Sequence, residues 1–565
     1  MNRKFFEFKY WGRLVLVLAN LLLATCESQA VGSWTALASA APGGVQNMLL
    51  LTDGTVLCQN QGGTIWYKLT PNGVGGSYVN GSWTTMASMG SSRRFFVSAM
   101  LQSGRVLVAG GEYGTGGANS EIYDPVANTW TPVPTPAALF SATGVLADGS
   151  NNGFRDPCSV LLPNGDLMVA PVLASVQWGT VIYSVVSNTW TTGPACRGNQ
   201  NEASWIKLPD DSILTIDTAS QTSERYIPAS RLWIADANVP QQLYGVGSEI
   251  GPGLLLPDGR ALFIGATGLN VFYTPSGNTS FGTWSVAAPL PNNQGAPDAP
   301  AAVMVNGKIL AATSAPMYVS GTNTIFPTPT SFYELNPTNN IWTQVNAPAG
   351  GQTVNIPCYK TTMLALPSGQ VLYSDYGTQL YVYTPDGTPL AAGKPTIASV
   401  TPKADGTYRL TGTLLNGLNA GAAYGDDLQM DSNYPLVRLH TGGNVYYCRT
   451  TNWSSTSVMT GSAVLGTDFS PSGGLTPGWY NLVTVANGIA SDPVGFYGPV
   501  WVDFNYAGFE NGVHDYPWNS LAEGVAAVDA GGTINFRSAG HKLEPMTINK
   551  AMELRAVGGP VTLGN

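Results

Sequence analysis

Hydrophobic and polar positions follow one repeated figure along most of this chain. An apolar run meets a two-residue polar or glycine turn and continues as a second apolar run. The figure first occurs at Leu49 to Gly54, LLLTDG, and returns from Ser98, Ser159, Trp205, Leu254, Ala301 and Thr361. Its turns read Asp-Gly, Ser-Gly, Asn-Gly or Asp-Asp. Such pairs accept the left-handed backbone of a tight hairpin at little cost. Seven hairpins at a spacing of roughly fifty residues predict a ring of seven blades, a β-propeller.

A second figure closes the units. GSWTTMASM ends at Met89, and NTWTPVP, NTWTTGP, GTWSVAAPLP and NIWTQVNAP begin at Asn128, Asn188, Gly282 and Asn340. Each reads as a last strand carrying an inward tryptophan. In three units a tyrosine stands seven residues earlier, giving Tyr123 with Trp130, Tyr183 with Trp190 and Tyr226 with Trp233. These pairs are expected to pack between neighbouring blades, because a four-stranded blade buries its faces only against others. The seventh unit lacks a tryptophan strand, and GSWTALA, from Gly32, supplies one. The ring is therefore predicted to close by joining the two ends of residues 31–390, which also hides sheet edges.

Beyond residue 390 the pattern changes. Short alternating strands over 391–500 read as an immunoglobulin-like β-sandwich. Residues 501–565 begin with a helix at Ser520 to Val528, where Ser520 and Glu523 form a capping box. Short strands follow, and the region reads as a capping helix with a partial right-handed β-helix. Its end is expected to be covered by a partner or a larger solenoid, since an open coil exposes apolar side chains.

Composition sharpens this all-β picture. Charged residues make up 10% of the 565, while glycine reaches 67 and proline 39. A helical bundle would not tolerate so many breakers. Residues 1–30 read as an export signal: Arg3, Lys4, Lys9 and Arg13 precede an apolar stretch too short for a bilayer span. The chain is thus expected to be secreted or displayed at the cell surface, with no membrane span in its mature form. Without the four basic and two acidic residues of that segment, the formal charge of −9 becomes −11. An acidic chain of this kind repels nucleic acid. Cysteines are sparse and form no CxxC pair; Cys158 and Cys196 flank one repeat as a candidate disulfide.

The hairpin with its small-residue exit, Ala109-Gly110-Gly111, and the segment IYDPVANTW resemble kelch motifs. Seven such units followed by an immunoglobulin-like unit resemble the galactose oxidase and glyoxal oxidase architecture, from about Val31 to Val500. The resemblance implies one copper held by two histidines and two tyrosines, one tyrosine being crosslinked to a cysteine. The family's tyrosine-histidine pair falls on Tyr359-Lys360, and its crosslinked tyrosine on Phe95. The cysteine is absent from VQNML; Cys58 lies beyond the turn. His440 is out of register, and no histidine precedes it. No metal and no cofactor are therefore expected.

The segments leading into the innermost strands line one mouth of such a ring. They carry Arg93, Arg94, Phe95, Arg155, Asp156, Arg197, Asn201, Glu202, Trp205, Glu249, Asp298, Tyr359 and Lys360. One reading is an ion-pair network that holds blades in register, which requires full pairing. The other is a polar pocket with Phe95 or Trp205 as a stacking face, suited to carbohydrate or a cell-envelope polymer. That makes the chain a non-catalytic recognition module. The alternatives are a divergent enzyme of the propeller family, with Glu202, Glu249 and Asp298 as catalytic candidates for a glycoside hydrolase or lyase, an oxidase-like protein, or part of a larger surface assembly.

Overall fold

The computed structural model describes residues 31–113, 115–134, 157–170, 179–423, 433–471 and 476–564. Residues 1–30, which the sequence reads as an export signal, and the mouth residues Arg155 and Asp156 lie outside the described residues. Seven antiparallel sheets form the ring. Each begins with a hairpin of the repeated figure: Val45–Leu50 pairs with Val56–Asn60, and Thr362–Ala365 with Val371–Ser374. The first strands of neighbouring blades touch at the pairs one–seven, six–seven, two–three and four–five, which makes them the innermost strands. Nearly every residue in these hairpins is buried, because both faces of a blade are covered by neighbours.

The ring closes as the tryptophan pattern predicts. Ser33–Ala36 pairs with Tyr381–Thr384 as the fourth strand of the seventh blade. Trp34 packs against Tyr383 at 4.7 Å in that blade and Phe332 at 5.4 Å in the sixth. The tyrosine–tryptophan pairs, however, lie within blades, opposite one another on adjacent strands, as for Tyr123 and Trp130. The seven-residue spacing spans a hairpin turn and places the two directly across the ladder. What reaches the neighbouring blade is the indole N–H. Trp34 donates to the carbonyl of Asn346, Trp130 to Ala87, Trp284 to Ala237 and Trp342 to Ala288, all at 2.7–3.0 Å. Each acceptor follows the last strand of the preceding blade.

Buried ions add a second latch. Arg93, fully buried, meets Glu121 at 2.8 Å, and Glu121 also accepts from the backbone N–H of Gly90 and Ser91. Arg225 pairs with Asp236, which accepts from Tyr273 of the next blade at 2.8 Å. Lys308 pairs with Glu334 and Asp386, bridging the sixth blade to the segment after the seventh. Of these pairs only Arg93–Glu121 draws on the mouth set; Arg225–Asp236 and Lys308 with Glu334 and Asp386 use other residues.

The second unit is an immunoglobulin-like fold whose strands form one continuous, curled, eight-stranded sheet. Its core is built from Leu410, Val437, Leu439, Phe469, Leu482 and Phe496. The sequence reading divides these strands into two layers; one sheet bent over the core does the same work. His440 lies in the strand Leu436–Thr441. The unit packs on the turn face of the ring: a Cβ at Gly54 would fall 2.4 Å from the ring of Tyr447. That position also needs a left-handed backbone, so only glycine suits it. One strand of the second unit, Ala420–Ala423, enters the channel and pairs antiparallel with Gly253–Leu255, the innermost strand of blade five.

In the last unit Val500–Val502, Thr533–Phe536 and Glu553–Ala556 stack in parallel, as do Gly540–Lys542 and Val561–Leu563. These are β-helix-like coils. The helix is Leu521–Ala527, capped by Ser520, whose side chain accepts from the Glu523 N–H at 3.3 Å. No described helix is long and apolar enough to cross a membrane. Cys158 and Cys196 share one core cluster, but as thiols and not as the expected disulfide; Cys158 Sγ donates to the Ala203 carbonyl.

Candidate functional site

The mouth is built from one repeated position. Counting back six residues from the apolar residue that opens each hairpin turn gives Phe95 in blade two, Glu202 in four, Asp298 in six and Lys360 in seven. Three of these have left-handed backbones, with φ of 47° at Phe95, 51° at Glu202 and 53° at Asp298. Left-handed conformations cost non-glycine residues roughly 1–2 kcal/mol, so the surrounding hydrogen bonds must hold them. The Asn201 side chain donates to the Gly247 carbonyl at 3.2 Å, and the Asp298 N–H to that of Ile250 at 2.9 Å. The leading segments of blades four, five and six are thereby tied into one rim.

Three carboxylates converge on this rim. One oxygen each from Glu202, Glu249 and Asp298 can be chosen so that all lie within 4.8 Å of one another. All three side chains are half-buried, and one oxygen of Glu202 and one of Glu249 are sealed from solvent. Like charges this close repel, so the arrangement needs compensation by neighbouring groups, a proton or a cation. An all-oxygen trio suits a hard divalent ion such as calcium or magnesium.

Tyr359 sits beside this arc on the seventh blade. Burial raises its hydroxyl above the usual tyrosine value, and the charge of Asp298 raises it further. Its ring meets Phe326 at 4.7 Å, and the Lys360 ammonium lies 5.6 Å from the ring centre. Beneath it, Cys358 Sγ donates to the Pro297 carbonyl at 3.3 Å, fixing blade seven against the Asp298 segment. Burial pushes that thiol up to about 12, which leaves it inert.

The remaining expectations divide. Arg94 and Arg197 are exposed at the rim, the latter held by its backbone N–H on Glu224 at 2.7 Å. Phe95 meets Tyr113 edge-on at 6.0 Å. Trp205 is a correction: it is 2% exposed, donates to Gln200 and packs on Trp233, so it is core and not a stacking face. Its side chain lies three positions beyond Glu202, already inside the blade. Tyr113 and Phe326 escape the sequence reading; unequal lengths of the connections carrying them are the available signal.

The residues do not fit a copper-radical centre. Phe95 has no phenolic oxygen, Lys360 brings an ammonium, and Cys58 is wholly buried, its thiol raised by desolvation. His440 stands in the curled sheet opposite Val445 and Asn481.

No protein-family model and no curated protein matches the chain. Among solved structures it is similar to a fungal alcohol oxidase of the AA5 family in complex with copper. The identity is 16%, covering 80% of this chain and 85% of that one, with a TM-score of 0.34. A streptogramin B lyase gives 11% identity over 63% and 98%, with a TM-score of 0.42. A virginiamycin B lyase from Staphylococcus aureus with quinupristin gives 12% over 62% and 99%, with a TM-score of 0.41. At these scores none of the three bears on the chemistry of this chain.

Proposed function

We propose that the ring mouth of an exported chain processes carbohydrate, with Glu202, Glu249 and Asp298 cleaving a glycosidic bond. The observation that carries this reading is the convergence of the three carboxylates within 4.8 Å. Inverting hydrolysis needs room for a water between carboxyls roughly 6.5–9.5 Å apart, whereas direct attack needs about 5–5.5 Å. One oxygen of each carboxylate lies within 4.8 Å of the others, short of the inverting range, so direct attack is the step proposed. One carboxyl group donates its proton to the leaving oxygen while a neighbouring carboxylate attacks the anomeric carbon, giving a glycosyl ester. The first group, now ionised, then takes a proton from water, whose oxygen displaces the ester and restores both carboxyls.

The aromatic pair Tyr359 and Phe326 favours a second reading, in which the same mouth binds a sugar or cell-envelope polymer without cutting it. One experiment separates them. Purified protein is incubated with neutral polysaccharides and assayed for new reducing ends, unsaturated ends and peroxide. Reducing ends are expected, falling at least about a hundredfold in Glu202→Gln, Glu249→Gln or Asp298→Asn. Retained binding with no product selects the recognition module, unsaturated ends a lyase and peroxide an oxidase. Product unchanged in all three variants would remove the carboxylates from the mechanism.

A further inference from the structure

The walls of the mouth are unequal. In an antiparallel blade the connection between second and third strands lies on the same face as the segment leading into the first. In blades one, four, five and seven this connection is short, residues 61–65, 217–222, 265–269 and 375–380. Blade two uses residues 110–119, and blade six residues 314–329. Most of the blade-three connection lies outside the described residues.

Among the described connections, these two long ones carry aromatic side chains. On blade two, Tyr113 is 72% exposed and rests edge-on against Phe95; the wall is pinned by the Glu112 N–H donating to the Arg94 carbonyl at 2.7 Å. The blade-six wall contains a hairpin of its own, Tyr318–Ser320 with Asn323–Ile325. Tyr318 is 53% exposed, and Phe326 faces Tyr359. Met317 anchors this wall over blade five: a Cβ at Gly247 would meet both Met317 and Glu249 at 3.9 Å. In a seven-part ring, blades two and six are three steps apart one way and four the other. The aromatic walls therefore stand nearly opposite, with low sides at blades one and seven and at four and five.

We infer that the mouth is an open-ended cleft that takes an internal segment of a linear, uncharged polysaccharide. This inference rests on the carbohydrate reading above. A pocket for one sugar needs walls on all sides; two opposed aromatic walls with low gaps leave room for a chain to pass through. Aromatic faces cover the apolar faces of successive sugar rings whatever their hydroxyl pattern. The acidic floor and the formal charge of −9 oppose uronate polymers.

The test is calorimetric titration of Glu249→Gln protein, in which turnover is silenced, with di-, tetra- and hexasaccharides of β-linked glucose and of N-acetylglucosamine. Polygalacturonate serves as the anionic control. The hexasaccharide of at least one series is expected to bind about tenfold or more tightly than its disaccharide. Tyr113→Ala and Tyr318→Ala should each remove most of that gain and leave the disaccharide unchanged. Tyr113 is exposed enough that its truncation does not threaten the fold. Equal affinity for short and long sugars, a length gain that survives both substitutions, or tighter binding of polygalacturonate overturns the cleft while leaving a sugar site standing. If no sugar binds and wild-type protein releases no product, the carbohydrate reading falls and the cleft with it.

Discussion

At the scale of single residues, blades two and four solve one problem with different side chains. Glu121 and Glu224 occupy matching places in SEIYD and SERYI, and each accepts two backbone N–H groups from the segment before its blade. Three residues into that segment blade two has Arg93 and blade four has Gln200. Gln200 donates to Glu224 at 3.1 Å but brings no charge. Burial therefore lifts the Glu224 carboxyl to about 7, although the Arg197 and Gly198 N–H groups pull it down. The folded protein holds this proton where the unfolded chain has released it, so stability contributed below the usual carboxylate range is lost as pH rises toward about 7. Glu224→Gln should gain on wild type by roughly 1–3 kcal/mol between about pH 5 and pH 8. Paired denaturant melts across that range measure it; a constant difference would show that Glu224 stays ionised in the fold.

At the scale of elements, the tryptophan strand is the unit of blade-to-blade attachment. It contributes a cross-strand ring contact within its blade and an N–H to the one before. The closing strand Ser33–Ala36 does this at the seam, where Trp34 touches Tyr383, Tyr373 and Phe332 and donates to Asn346 at 2.7 Å. Trp34→Ala should cost roughly 3–5 kcal/mol, and deletion of residues 32–42 should open the seam and expose the edge strand Tyr381–Thr384. Thermal melts and sizing chromatography test this; a deletion protein with an unchanged melting temperature would show that the seam is not held by this strand.

At the scale of the whole molecule, ring and second unit are interleaved. Ala420–Ala423 lies in the channel beside Gly253–Leu255, and Val458 belongs to the core cluster of blades four and five. Lys207 of blade four is buried against the second unit, its ammonium donating to the Thr456 carbonyl at 2.9 Å. Burial lowers Lys207 to about 8, against the pull of Asp211. Two bodies sharing a sheet and a core lose both when either unfolds. Differential scanning calorimetry of residues 31–565 should give one transition for residues 31–500. A ring ending at residue 390 should melt lower, because it leaves the inner edge of blade five uncovered. Two well-separated transitions, with the shorter ring as stable as the whole, would show that the strand contributes nothing.

Periodicity alone determined the number of blades, the seam and the kind of fold, because hairpin turns and strand alternation are local properties of the chain. It also marked Glu202, Glu249 and Asp298, as scarce charges in the segments leading into their blades; Glu202 and Asp298 stand six residues before the residue that opens the turn and Glu249 seven. Their convergence on one point is a tertiary fact: it needs the ring to bring three blades, some fifty residues apart in sequence, to one axis. The demotion of Trp205 to the core follows the same logic, because only the closed ring decides which side of a leading segment faces the channel. The aromatic walls and the strand threaded into the channel were likewise decided by packing. Connection length was readable, but which face a connection rises from depends on the direction of every strand before it.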